Sequence, residues 1–177
     1  MLNKILVAVD NSESNQQVFD EAVSLARVTN ARLMLLHVLS PFDEQYVDPL
    51  FLQPTILYPQ LQRNNSTYIN DWEKLKENRL NWLKWLCQQA TQLGVKAEFS
   101  QNIGEPSRII CDIAQNWEAD VIVIGRRGRR GLSELLMGSV SNYVLHHASC
   151  SVFTVQGIIP DENEIGQTGK VEIISKV

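Results

Sequence analysis

Cysteine is scarce: Cys87, Cys111 and Cys150 are the three in 177 residues, odd in number and with no Cys-x-x-Cys pair. That spacing excludes a disulfide framework and a structural zinc site, and it reads as reduced thiols in or near the core. No apolar run approaches the roughly 20 residues that a membrane helix needs, and the segment from Ala31 to Ser40 is interrupted by Arg32. The amino-terminal run stops at Asp10, a poor match for a signal-peptide core, so a cytoplasmic location with no membrane contact is expected. The Gly-x-x-x-x-Gly-Lys-[Ser/Thr] and Gly-x-Gly-x-x-Gly signatures are both absent, which removes the P-loop and dinucleotide-binding readings. Hydrophobic residues at 44% and charged residues at 20% exclude disordered, collagenous and low-complexity chains. A domain of this length buries roughly 70% of its unfolded surface and needs no covalent staple.

The formal net charge is −4, yet the segment GRRGRRG at 125–131 holds Arg126, Arg127, Arg129 and Arg130 and no acid. A mildly acidic chain with one basic loop is a poor general nucleic-acid binder and a candidate for a local anion site.

Apolar patterning predicts the architecture. Lys4 to Val9, Arg32 to Val38 and Asp120 to Ile124 are nearly continuous apolar runs, as in strands buried on both faces. Val95, Ala97 and Phe99 alternate with Lys96, Glu98 and Ser100, which suits a sheet edge, and Ser151 to Val155 reads as a fifth strand. Between them lie helical stripes. Val18, Phe19, Ala22, Val23, Leu25 and Ala26 follow a Ser14-to-Gln17 capping box, with Asn30 as the stop. A long helix is predicted from about Asn70, with Trp72, Leu75, Trp82, Leu83, Leu86, Ala90 and Leu93 on its apolar face and Gly94 as its cap. Pro106 starts a third helix carrying Ile109, Ile110, Ile113, Ala114 and Trp117, and Ser139 to His147 forms a fourth. Alternation of strand and helix implies an α/β fold: one domain with a five-stranded parallel sheet, Rossmann-like, and helices on both faces.

Two segments stand apart. Residues 41–68 form a long insertion holding four of the six prolines, at positions 41, 49, 54 and 59, together with Tyr46, Leu50, Phe51, Leu52, Ile56, Leu57 and Tyr58. Such a loop is read as a lid, a subunit contact or plain surface packing. The tail 157–177 follows the domain at 1–156 and ends in KVEIISKV, which alternates like a strand and is expected to hang loosely or touch a partner.

Ligands of an open parallel sheet bind at the carboxyl ends of its strands, where strand order reverses. The first strand delivers Asp10, the second His37-Val38 and the fourth the Gly125 loop, which leads to Gly138-Ser139 at a helix start. Unpaired N–H groups and a partial positive charge at that start favour a phosphate. The plain alternatives are an Asx-turn at Asp10, a glycine-rich surface turn at Gly125–Gly128, a buried structural histidine at His37 and helix-capping histidines at His146 and His147.

The spacing Gly125-x2-Gly128-x9-Gly138-Ser139, with KILVAVDNS, LLHV and DVIVIGRRGRRGLSELLMGSVSNYVLHHASCSVFTV in register around it, resembles the universal stress protein family in its ATP-binding branch. The resemblance implies strand order 3-2-1-4-5. It implies that Asp10, beside Ala8 and Val9, reaches the ribose or a phosphate-bound divalent metal, and that the backbone of Val38 reads the adenine edge. Gly125, Arg127, Gly128, Gly138, Ser139 and Val140 would cradle the phosphates of ATP with Mg2+ or Mn2+. A homodimer through Val152, Phe153 and Val155 of the last strand is implied as well. The expected role is a nucleotide-dependent regulator of stress response, acting on a protein partner that the sequence does not name. Two other readings stay open: a slow ATPase or self-phosphorylating protein, using Ser139 or Ser141, and a nucleotide-free interaction module whose arginine loop meets an acidic partner.

Overall fold

The computed structural model describes residues 1–12, 15–40, 65–126 and 137–156, with the backbone course alone at 42–43, 46–47 and 65–69. In chain order the elements are β1 (Lys4–Ala8), α1 (Asn15–Thr29), β2 (Arg32–Leu39), β3 (Phe42–Asp43), β4 (Tyr46–Val47) and α2 (Asn65–Gln92). They continue with β5 (Ala97–Ile103), α3 (Pro106–Asn116), β6 (Val121–Gly125), α4 (Ser139–His147) and β7 (Ser151–Val155).

Five strands form a parallel sheet in the order β5-β2-β1-β6-β7, while β3 and β4 make a separate antiparallel pair. Counting only the strands of the large sheet, this is the order 3-2-1-4-5. Its period-two alternation sorts side chains onto two cores. Ile5, Val7, Leu33, Leu35, Val121 and Val123 face α1 and α2, where they meet Phe19, Ala22, Leu83 and Leu86. Leu6, Leu36, Ile122 and Ile124 face the other way, onto Ile110 and Ala114 of α3 and Val144 of α4. β1 and β6 lie between neighbours on both sides, which is why their sequences are continuously apolar.

The ends of the elements follow local chemistry. Asn30 takes a left-handed φ of 55° and Gly94 one of 85°, each just past a helix. Glu105 caps α3: its carboxylate accepts from the N–H groups of Ser107 and Arg108, with Pro106 at the first helical position. Desolvation pushes the Glu105 carboxyl up, but these bonds and that from the Ser107 hydroxyl outweigh it, and the net direction is down.

Several sequence readings need correction. α2 starts at Asn65, five residues before the expected Asn70, because Asn65, Ser66 and Thr67 carry no apolar period to announce it. Leu93 is 48% exposed, since it lies beyond the last residue of α2, in the turn that Gly94 closes. Of the four tryptophans Trp72 is buried, Trp82 and Trp117 are half-buried, and Trp85 is half exposed on the outer side of α2. The short β3–β4 pair falls inside the proline-rich insertion, where two-residue strands leave no pattern to read. Ser14 of the expected capping box, most of the insertion and the tail 157–177 lie outside the described residues.

Candidate functional site

At the carboxyl edge of the sheet, Ala8 pairs with Leu36 on one side and Ile124 on the other. β1 ends at that level, while β6 runs one residue further, with Gly125 still paired to Val155 of β7. From this point α1 follows β1 on one face, and the chain after β6 ends in α4 on the other, which is the reversal in strand order that makes a crevice.

On the β1 side, Val9 is buried and its N–H still bonds the Leu36 carbonyl at 2.9 Å. Asp10 then turns the chain: its Oδ1 accepts from the N–H of Ser12 at 3.0 Å and from the Ser12 hydroxyl. The Asx-turn is thus present, and it fixes the carboxylate at the strand exit. Asn15, the first residue of α1, is 8% exposed, and its Oδ1 has no hydrogen-bond partner. A buried acceptor left open is costly. The sequence reading passed over Asn15 because an asparagine at a helix start signals capping, and nothing local distinguishes one that is buried.

On the β6 side two backbone hydrogen bonds tie the described residues together. The Arg126 N–H donates to the Val155 carbonyl at 2.7 Å, and the Gly138 N–H donates to the Arg126 carbonyl at 2.9 Å. Arg126 and Gly138, on either side of the segment 127–136, are thus joined in a closed neck. Arg127 and Gly128, with Arg129 and Arg130, lie outside the described residues. The Arg126 guanidinium reaches Gln156 at 2.8 Å, at the end of β7.

The neck delivers the start of α4. Gly138 is its N-cap, with φ −58° and ψ 150°, and supplies no side-chain cap. The Asn142 N–H donates to the Gly138 carbonyl at 2.9 Å, and a glycine cap offers no side chain to the N–H groups of Ser139, Val140 and Ser141. An uncapped first turn carries partial positive charge and can take an anion. Ser139 is exposed beside it, whereas Ser141 is 4% exposed and its hydroxyl donates to the Gly125 carbonyl at 2.6 Å. Ser141 is thereby a strut between α4 and the end of β6. A hydroxyl so engaged is not available to accept a phosphoryl group in this conformation.

Val38 sits in β2 level with Asn102 of β5, its side chain half-buried on the α3 face. His37 is buried as expected, with Nδ1 2.9 Å from the Val9 carbonyl. At the far end of α4, His147 Nδ1 bonds the Tyr143 carbonyl at 2.8 Å while its ring stacks on Tyr143 at 3.9 Å. Among the described residues no three His, Cys, Asp or Glu side chains gather to hold a metal ion. All three cysteines are free and half-buried, and burial is the main cause that pushes their thiols up, which makes them poor nucleophiles near neutrality.

Comparison with known proteins bears on this arrangement. The family model described as the universal stress protein family matches residues 1–156. Universal stress protein Sll1388 of Synechocystis is 40% identical over 154 residues, covering 86% of this chain and 97% of that protein. Universal stress protein UspA from Lactobacillus plantarum superposes with a TM-score of 0.66 at 26% identity, over 87% of this chain and 97% of its own. A universal stress protein family protein from Arabidopsis thaliana with AMP bound gives 0.58 at 21% identity, over 94% and 97% of the two chains. A universal stress protein in complex with cAMP gives 0.57 at 20%, over 89% and 99%.

Proposed function

The chain belongs to the universal stress protein family, and from that premise we propose that the crevice between β1 and β6 binds an adenine nucleotide, ATP with Mg2+ in the first instance, and that occupancy regulates a partner in the stress response. The observation that carries the reading is the uncapped start of α4 at Gly138–Val140, held by the neck at Arg126 on the carboxyl edge of the sheet. The open Asn15 acceptor beside the Asp10 turn supports it, because a ligand hydroxyl, amine or ordered water would satisfy that atom. AMP and cAMP in two structures of the same fold support adenine as the base.

In this reading the N–H groups of Ser139 and Val140 receive a phosphate, Gly125 and Gly138 keep side chains out of its path, and Arg127 and Gly128 complete the cradle. Asp10 meets the ribose, or the divalent ion through the phosphates, and the backbone of Val38 meets the base. The metal would supply charge neutralisation of the phosphates. Described residues offer no positioned general base, so binding and signalling are favoured over rapid hydrolysis. The chain acts as a cytoplasmic homodimer through β7, where Phe153 is 44% exposed beside Val152 on an edge strand. Val155, expected in the same contact, is instead buried in the chain's own core, because it faces the α1 side of the sheet.

Calorimetric titration of nucleotide-stripped chain with ATP, ADP and AMP, with and without Mg2+, tests the site. Micromolar binding of ATP is expected; no binding by folded protein to any of the three contradicts the reading. Light scattering of wild type and Phe153→Asp tests the assembly, with a shift from dimer to monomer as the expected result.

A further inference from the structure

The inner stripe of β2 reads Leu33, Leu35, His37, Leu39, and all four side chains are buried, His37 at 2% exposure. A polar ring in such a row costs stability unless its hydrogen bonds are satisfied, and leucine would pack there without that demand. What His37 gains is a bond at one particular place. Ala8 is level with Leu36, so His37 is level with Val9, the first residue beyond β1. A carbonyl can only accept, so Nδ1 carries the proton and donates to the Val9 oxygen at 2.9 Å. The next residue is Asp10, whose carboxylate closes the turn on Ser12. On its other side the ring is held edge-on by Trp82 of α2, with centroids 5.6 Å apart and planes at 80°.

We propose that His37 is a positioning residue for the nucleotide crevice: wedged by Trp82, it pins the Val9 carbonyl and so fixes the direction in which β1 delivers Asp10, while its own backbone leads to Val38. This rests on reading the crevice as a nucleotide site. It also makes α2, the helix that follows the long insertion, a wall of that site without contact to the ligand: whatever shifts Trp82 shifts the Asp10 turn.

Two substitutions separate the bond from the packing. His37→Phe keeps a ring against Trp82 and removes the donor; His37→Asn places an amide N–H near the former Nδ1 and restores it. The first readout needs no nucleotide. Hydrogen exchange of the free chain should show the amides of Val9 to Ser12 opening about tenfold faster or more in His37→Phe, with those of β5 and α3 unchanged, and near-native rates in His37→Asn. The second readout is ATP affinity, weakened about fivefold or more in His37→Phe, the size of one net hydrogen bond, and within about twofold of wild type in His37→Asn.

Native exchange at Val9–Ser12 in folded His37→Phe overturns the proposal, and so does a uniform rise across the sheet, which would make His37 an ordinary core residue. If wild type binds no adenine nucleotide, the proposed function falls, while the exchange pattern still decides whether His37 holds the β1 exit.

Discussion

The same five strands end twice, and the two ends of the sheet treat their polar groups differently. At the amino end the chain satisfies itself. Asp120 accepts from the N–H groups of Asn3 at 2.6 Å and Lys4 at 2.9 Å. The Lys4 ammonium in turn donates to the Trp117 carbonyl at 3.0 Å and pairs with Glu118 at 3.1 Å. At the carboxyl end, α4 begins without a side-chain cap and Asn15 carries an open buried acceptor. Closed polar groups hold the strands in register, and the proposed nucleotide site draws on the open ones at the other end.

The strongest way to break the comparison is to close the open end. Gly138→Asp would place a carboxylate at the N-cap, where the φ of −58° suits any residue. It should serve the first N–H groups of α4 and raise stability by about 0.3 kcal/mol, seen as a melting temperature about 1 °C higher. The same carboxylate would occupy and repel the phosphate position, weakening ATP binding about 30-fold or more by calorimetry. A variant that is more stable and still binds ATP as tightly as wild type would separate the helix start from the site.

The converse change opens the closed end. Hydrogen bonds from the N–H groups of Asn3 and Lys4 hold the Asp120 carboxyl below its usual range. A group so depressed contributes stability above its unfolded value near 4, and loses it as pH falls through the folded value. Asp120→Asn should therefore cost about 1 kcal/mol at pH 7, a value kept small by the solvent that reaches the carboxylate. The difference from wild type should shrink below about pH 4 in denaturant titrations, and ATP affinity should not change.

Smaller effects sharpen the picture. Glu105→Ala removes a cap that is present, and should cost about 0.5–1 kcal/mol with no change in ATP affinity. Ser141→Ala frees the Gly125 carbonyl and loosens the strut under α4. It should cost about 0.5 kcal/mol, the lower end for one hydrogen bond, and weaken ATP only about two- to threefold.

Much of the frame was legible because burial on both faces writes a continuous apolar run, as in Ile5–Val7 and Val121–Ile124, and a half-covered edge writes alternation, as in β5. The start of α2 was not legible, since Asn65 to Thr67 are poor helix formers with no apolar period, fixed by the helix that follows them. For the site, Asp10, Val38, Gly138 and Ser139 were named from their order along the chain, and the sheet brings the ends of their strands and helix to one edge. Asn15 was missed because burial of a single asparagine depends on how α1 settles on β1 and β6. The role of Ser141 was hidden for a similar reason: a serine in the first turn of a helix looks the same whether it faces solvent or braces a strand.

The central claim is that one end of the sheet is built for a ligand and the other for itself, and an NMR titration with Mg-ATP tests it most directly. The account predicts amide shifts that saturate together at Asp10, Asn15, Gly138, Ser139 and Val140, with Asn3, Lys4 and Asp120 unmoved. Shifts centred on the Asp120 end, or none at millimolar nucleotide, would contradict it.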